Sequence, residues 1–116
     1  MSMTSAEFKC LRESMGLSQQ WAADHWKVSI ISVKRWERNY QPPAGIEMDL
    51  RALKKRFDRE VRIAAAADED SGLLVPRLDV EAPRDLPAAW HRAIAQRAAE
   101  QSGARILYYD DEQDAE

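Results

Sequence analysis

The chain has 116 residues, a length that fits one compact domain, or a small domain with an appendage, and excludes an enzyme of two catalytic domains. Leu, Ile, Val and Phe number 22 against 18 alanines, a balance that favours helix, gives little buried area per residue and makes self-association an expectation. The net charge of −3 hides a division: residues 1–67 hold twelve Lys and Arg against eight Asp and Glu, residues 68–116 five against twelve, leaving +4 and −7, as in chains whose parts meet different partners.

The single cysteine, Cys10, forms no internal disulfide and no Cys-based metal site, which points to a reducing cytoplasm. The first eight residues carry neither the basic nor the apolar region of a secretory signal. The aliphatic run 64–67 falls far short of the ~20 residues of a membrane span. A cytoplasmic protein away from the membrane is expected.

Thr4-Ser5-Ala6-Glu7 fits a capping box, with Thr4 as N-cap and Glu7 reaching back. Phe8, Leu11 and Met15 share one face of the helix that follows, and Gly16 stops it. Ser18 caps a second short helix that turns Ala22, Ala23 and Trp26 inward. After a break at Lys27-Val28, Ser29 caps a third helix with Val33 and Trp36 on its buried side. Asn39 and the Pro42-Pro43 pair end it. Ile46, Leu50, Leu53, Phe57 and Val61 recur at helical spacing along a longer fourth helix. It fades through residues 64–67 into Asp68-Glu69-Asp70-Ser71-Gly72, a linker.

Residues 72–78 form a strand candidate that Pro76 confines to an edge or a bulge. Leu86, Trp90, Ala93, Ile94, Arg97 and Ala98 outline a helix over about 86–101, and residues 105–109 are a β-type run. The expected class is therefore mainly α with a small α/β appendage. It comprises a helical domain over 1–67, a strand-helix-strand region over 72–110 and an acidic, disordered tail over 111–116. Two strands and one helix enclose too little core to stand alone. Contact with a second chain through Leu74, Trp90, Ile94, Leu107 and Tyr109 meets that need and makes the region a dimerisation module. The alternative is that it folds back on the fourth helix of its own chain.

Three short helices with a tight break between the second and third describe a helix-turn-helix. The run Leu11-Arg12-Glu13-Ser14-Met15-Gly16-Leu17-Ser18-Gln19-Gln20-Trp21-Ala22-Ala23, with Val28-Ser29, Val33 and Arg35-Trp36-Glu37 beyond, resembles the Cro/XRE-type helix-turn-helix of phage and bacterial repressors, the lambda-repressor-like DNA-binding domain. The resemblance is ungapped from Leu11 to Glu37 and extends loosely to about residue 65. It implies a homodimeric transcriptional (auto)repressor that binds double-stranded DNA and lays helix 29–38 in the major groove of a palindromic operator. The outward residues Ile30, Ile31, Ser32, Lys34 and Arg35 are then candidates for base contacts. Arg35 can hydrogen-bond a guanine bidentately and Lys34 can reach a guanine or a phosphate. Ile30 and Ile31 either meet thymine methyl groups or pack against the N-terminal arm or a dimer neighbour. Ser18, Gln19 and Arg38 are the expected phosphate contacts. Arg12 and Glu37 are implied to form a structural ion pair between the first and third helices. Lys27 departs from the family pattern, standing where Gly is usual, and a left-handed backbone there costs about 1 kcal/mol. Trp26 replaces the usual Leu. In size and order the whole chain also weakly resembles YdiL-like regulators and anti-CRISPR-associated autorepressors.

The stripe Arg51, Lys55, Arg59 and Arg62 reads as a solvated face supported by Glu47–Arg51 and Asp58–Arg62 pairs, with an RNA or phosphate track as the alternative. His25 and His91 lack metal-ligand spacing, and Cys10 reads as a small buried hydrophobe. No enzymatic activity, metal or cofactor is expected. The competing functional reading is a protein-interaction module, such as an antitoxin or phage adaptor, whose acidic second part grips another protein.

Overall fold

The computed structural model describes residues 2–67, 69–83 and 85–109; the expected acidic tail, 111–116, lies outside the described residues. The chain is mainly helical with one small two-stranded parallel sheet. It divides into two units, Met1–Lys55 and Arg56–Glu116. The division falls inside the fourth helix rather than after residue 67, because Phe57 packs with residues later in the chain.

The first unit holds α1 (Ser5–Ser14), α2 (Gln19–Trp26), α3 (Ile30–Trp36) and the opening turns of α4 (Ala44–Ala65). At the start of α1, Thr4 Oγ1 accepts from Glu7 N–H at 3.0 Å and Glu7 Oε1 accepts from Thr4 N–H at 2.8 Å. This reciprocal cap satisfies two of the amides that the first turn cannot pair. Ala22, Ala23 and Val33 are fully buried together, with Trp21, Trp26, Val28, Ile30 and Trp36 packed around them. Two alanines on α2 leave room for α3 to approach closely, and the tryptophans supply the apolar area that alanine lacks. Phe8 of α1 lies 5.8 Å from Trp26 and 6.3 Å from Trp36, and such ring pairs contribute about 0.5–1.5 kcal/mol each beyond their burial. Cys10 corrects an expectation: it is exposed, not buried. Two residues along a helix from Phe8 it points nearly opposite to that inward side chain.

The second unit contains the remainder of α4, β1 (Leu73–Val75), α5 (Ala88–Ser102) and β2 (Ile106–Tyr108). The strands pair in parallel within the chain, Leu73 opposite Ile106 and Val75 opposite Tyr108, with α5 as the crossover that a parallel pair requires. Gly103 ends α5 at φ 78° with its N–H on the Ala99 carbonyl, a conformation glycine adopts without penalty. Trp90 is fully buried, its ring 5.1 Å from Phe57 and nearly perpendicular to it. Its indole N–H faces Glu60 Oε1 at 3.4 Å. Ile94, Ala95 and Ala98 are buried on the same helix. Trp90 and Ile94 were expected at a contact between chains; they are instead core residues of their own chain, because the later turns of α4 bring Phe57 to cover Trp90. Leu74 and Tyr109 are exposed and Leu107 is half-buried. Arg56 clasps the loop before α5, meeting Glu60 and Asp85 at 2.8 Å each.

Candidate nucleic-acid interface

The connection from α2 to α3 is set by three local devices. Ser18 caps α2, its Oγ accepting from Trp21 N–H at 2.9 Å. Lys27 takes the left-handed conformation, φ 56° and ψ 47°, its N–H returning to Ala23 and Asp24 carbonyls. Val28 N–H also reaches the Ala23 carbonyl, at 3.0 Å. Ser29 then caps α3, accepting from Ser32 N–H at 3.1 Å. The sequence marks both caps by their residue type, and it marks the strained position by the absence of the glycine that the conformation favours.

With Val33 buried, α3 has one inner face and the rest is open. Ile31 is 60% exposed, and Lys34, Arg35 and Arg38 are exposed. Among the described residues none of these three cations has a carboxylate within 4.0 Å, so their positive charge is uncompensated nearby. Ile30 differs from Ile31: it is half-buried and packs on the Ala22, Ala23 and Val33 cluster, which spends its side chain on holding α3 to α2. Ser32 is half-buried, with its hydroxyl 3.1 Å from that of Ser29.

Behind this face, Arg12 meets Glu37 through two bonds, Nε to Oε2 at 2.5 Å and Nη2 to Oε1 at 2.9 Å. Arg12 Nη1 donates to the Leu17 carbonyl at 2.6 Å. Both side chains are nearly fully buried, 6% and 3% exposed. Gln19 joins them, its Nε2 donating to Glu37 Oε1 at 3.0 Å. One of the two side-chain amide hydrogens of Gln19 is therefore committed to Glu37, and the other is the donor its side chain keeps for a phosphate, beside the backbone N–H at the start of α2.

Sequence reasoning does not reach Asp49. It accepts from Trp26 Nε1 at 2.7 Å and lies 2.9 Å from His25 Nε2, tying α4 to the C-terminal turn of α2. The His25 ring also stacks on Trp21, 4.6 Å between centroids. Only the helical period of Asp49 is visible in the sequence, and its partners lie 23 and 24 residues away. Of the α4 stripe, Arg51 stands 4.0 Å from Glu47 one turn earlier. In the second unit His91 is half-buried. Burial pushes its pKa below the usual imidazole value; Glu60 and Asp85 oppose that shift and Arg56 adds to it. Among the described residues no cluster of His, Cys, Asp or Glu could hold a metal ion, and no helix is long and apolar enough to cross a membrane. Compared with known proteins, the chain matches no protein-family model, no curated protein and no solved structure.

Proposed function

We propose that this chain is a sequence-specific DNA-binding transcriptional regulator of the Cro/XRE helix-turn-helix type, a cytoplasmic homodimeric repressor that places α3 in the major groove of a palindromic operator. The observation that carries this reading is the outer face of α3. Lys34, Arg35 and Arg38 are exposed, with no carboxylate within 4.0 Å among the described residues, and Ile31 is an exposed apolar neighbour. Cations in that state suit guanine edges and phosphates, and an aliphatic side chain beside them suits a thymine methyl group. Ser18 and Gln19, at the start of α2, supply a helix N-terminus to which a backbone phosphate can bind. Ile30 also packs on the Ala22, Ala23 and Val33 cluster, so base reading falls first to Ile31, Lys34 and Arg35, with the Ser32 hydroxyl and the exposed part of Ile30 beside them. The basic balance of residues 1–67 supports approach to a polyanion in spite of the overall negative charge.

Selection of bound sites from random duplex DNA, followed by anisotropy titration at several salt concentrations, tests the reading. A palindromic consensus and an affinity that falls as salt rises are expected. Absence of salt-sensitive binding at low ionic strength returns the chain to the protein-interaction reading.

A further inference from the structure

α4 is one continuous helix, and its two sides differ. Leu50, Leu53, Phe57 and Val61 are buried. On the opposite side Met48, Ala52, Lys55, Arg59 and Arg62 are all exposed. At 3.6 residues per turn, Lys55, Arg59 and Arg62 fall within about 60° of arc and span about 10 Å of the helix axis. They form one row of three cations.

The other cations of α4 are treated differently. Arg51 stands 4.0 Å from Glu47, and Arg56 meets Glu60 and Asp85 at 2.8 Å each. Among the described residues no carboxylate lies within 4.0 Å of Lys55, Arg59 or Arg62, so the Asp58–Arg62 pair expected from spacing is not formed. One turn to either side of Arg59 stand Lys55, Arg56, Arg62 and Ile63, so no acid occupies a position from which it could pair along the helix. Like charges at that spacing cost helix stability. The row does not serve the fold of α4, and an anion that neutralises it offsets that cost.

We propose that Lys55, Arg59 and Arg62 bind the phosphate backbone of duplex DNA, as a contact that carries affinity without reading sequence. The inference rests on the DNA-binding reading above and adds a second surface to it. The spacing suits this ligand: each strand of a duplex places a phosphate about every 3.4 Å along the axis, so a row of about 10 Å can meet three. A second copy laid on the same face brings the same charges and is repelled. A membrane surface takes up an apolar helix face, and that of α4 is already buried in the fold.

The test uses the full chain and a fluorescent duplex of random sequence, titrated by anisotropy from about 50 to 200 mM salt. Arg59→Gln with Arg62→Gln keeps good helix formers in place, so circular dichroism should be unchanged. Each lost phosphate contact lowers the slope of log affinity against log salt by about 0.9, so the double variant should lose about 1.8. Over that salt range the parent should then weaken about tenfold more than the variant. Adding Lys55→Gln should remove a further 0.9 or so, and Arg59→Lys with Arg62→Lys should keep most of the parent slope. The ratio of operator to random-duplex affinity should hold, since phosphates carry no sequence. Lys9→Gln with Arg105→Gln makes the same change of net charge at exposed positions off the row and should lower the slope less. An unchanged slope in Arg59→Gln with Arg62→Gln, or an equal fall in the Lys9 and Arg105 control, overturns the α4 contact and leaves the DNA-binding reading standing. A parent chain without salt-sensitive binding to any duplex, the selected operator included, overturns both.

Discussion

Glu37→Ala removes the carboxylate that neutralises a buried guanidinium. The Arg12 side chain is 6% exposed and loses two bonds, at 2.5 and 2.9 Å. It keeps the Leu17 carbonyl at 2.6 Å and a distant carboxylate, Glu13, at 4.0 Å. Gln19 loses its acceptor as well. Stranding one member of a buried pair costs about 3–5 kcal/mol. Gln19 is only half-buried and water can follow the deleted side chain, which puts the value near the lower end, about 3 kcal/mol. In a domain of this size each kcal/mol moves the thermal midpoint by about 4–8 °C, so a drop of at least about 12 °C is expected. Far-UV circular dichroism during heating and urea titration measures it. The double variant Arg12→Met with Glu37→Leu should lose much less, since it strands no charge. A Glu37→Ala chain within about 1 kcal/mol of the parent would show a solvated pair and refute the reasoning. An equal loss in the double variant would assign the effect to packing instead.

The remaining expectations concern reading, backbone and pH. Arg35→Ala should lose about 1–3 kcal/mol of operator binding and relax preference at one base pair per half-site, whereas Gln19→Ala should weaken all sequences alike; titration against single-base operator variants separates them. Lys27→Gly should raise stability by up to about 0.5 kcal/mol, the relief of a left-handed lysine less the greater freedom of glycine in the unfolded chain, and urea denaturation reads the change. His91, faced by Glu60, Asp85 and Arg56, has its pKa depressed by burial. The unfolded chain then binds the proton first: stability is level above the unfolded value of about 6.5 and declines as pH falls from there toward the folded value. His91→Gln should flatten the thermal midpoint between about pH 7 and 5, and an unchanged slope would exclude His91 as its source.

How much of this was legible in the sequence follows from the range of the interactions involved. The caps at Thr4, Ser18 and Ser29 are bonds to an amide three residues away, so residue type and spacing reveal them. The order strand, helix, strand is legible and allows a parallel pair joined by a helical crossover, while the pairing of β1 with β2 inside one chain is seen only in the structure. The division of α4 between the units is not local. Phe57 and Val61 continue the spacing of Leu50 and Leu53 without a break, and only the Phe57–Trp90 contact across 33 residues shows that their surroundings change. Trp90 illustrates the same limit. A large apolar side chain on a helix reads equally well as an interface anchor or a core residue until its partner is known. At the α3 face, the helical period separates Val33 from Lys34 and Arg35. It cannot separate Ile30 from Ile31, because adjacent residues at a helix start differ by which neighbour happens to cover them.

The Glu37 network bears on how so short a helix keeps its form and its place. α3 has seven residues, too few to hold helical form in water by propensity. It is fixed at its start by the Ser29 cap, on its inner side by Val33 and Ile30, and just past its end by Glu37, whose carboxylate takes Arg12 from α1 and Gln19 from α2. None of these anchors uses Ile31, Lys34 or Arg35. The side chains that hold the helix and those proposed to read bases are thus separate sets, so the reading set can be exchanged without loosening the frame. Gln19 is where the two sets touch. Its amide is oriented by the same carboxylate that ends α3, so a phosphate contact made through its second N–H would be held in register with the helix in the groove.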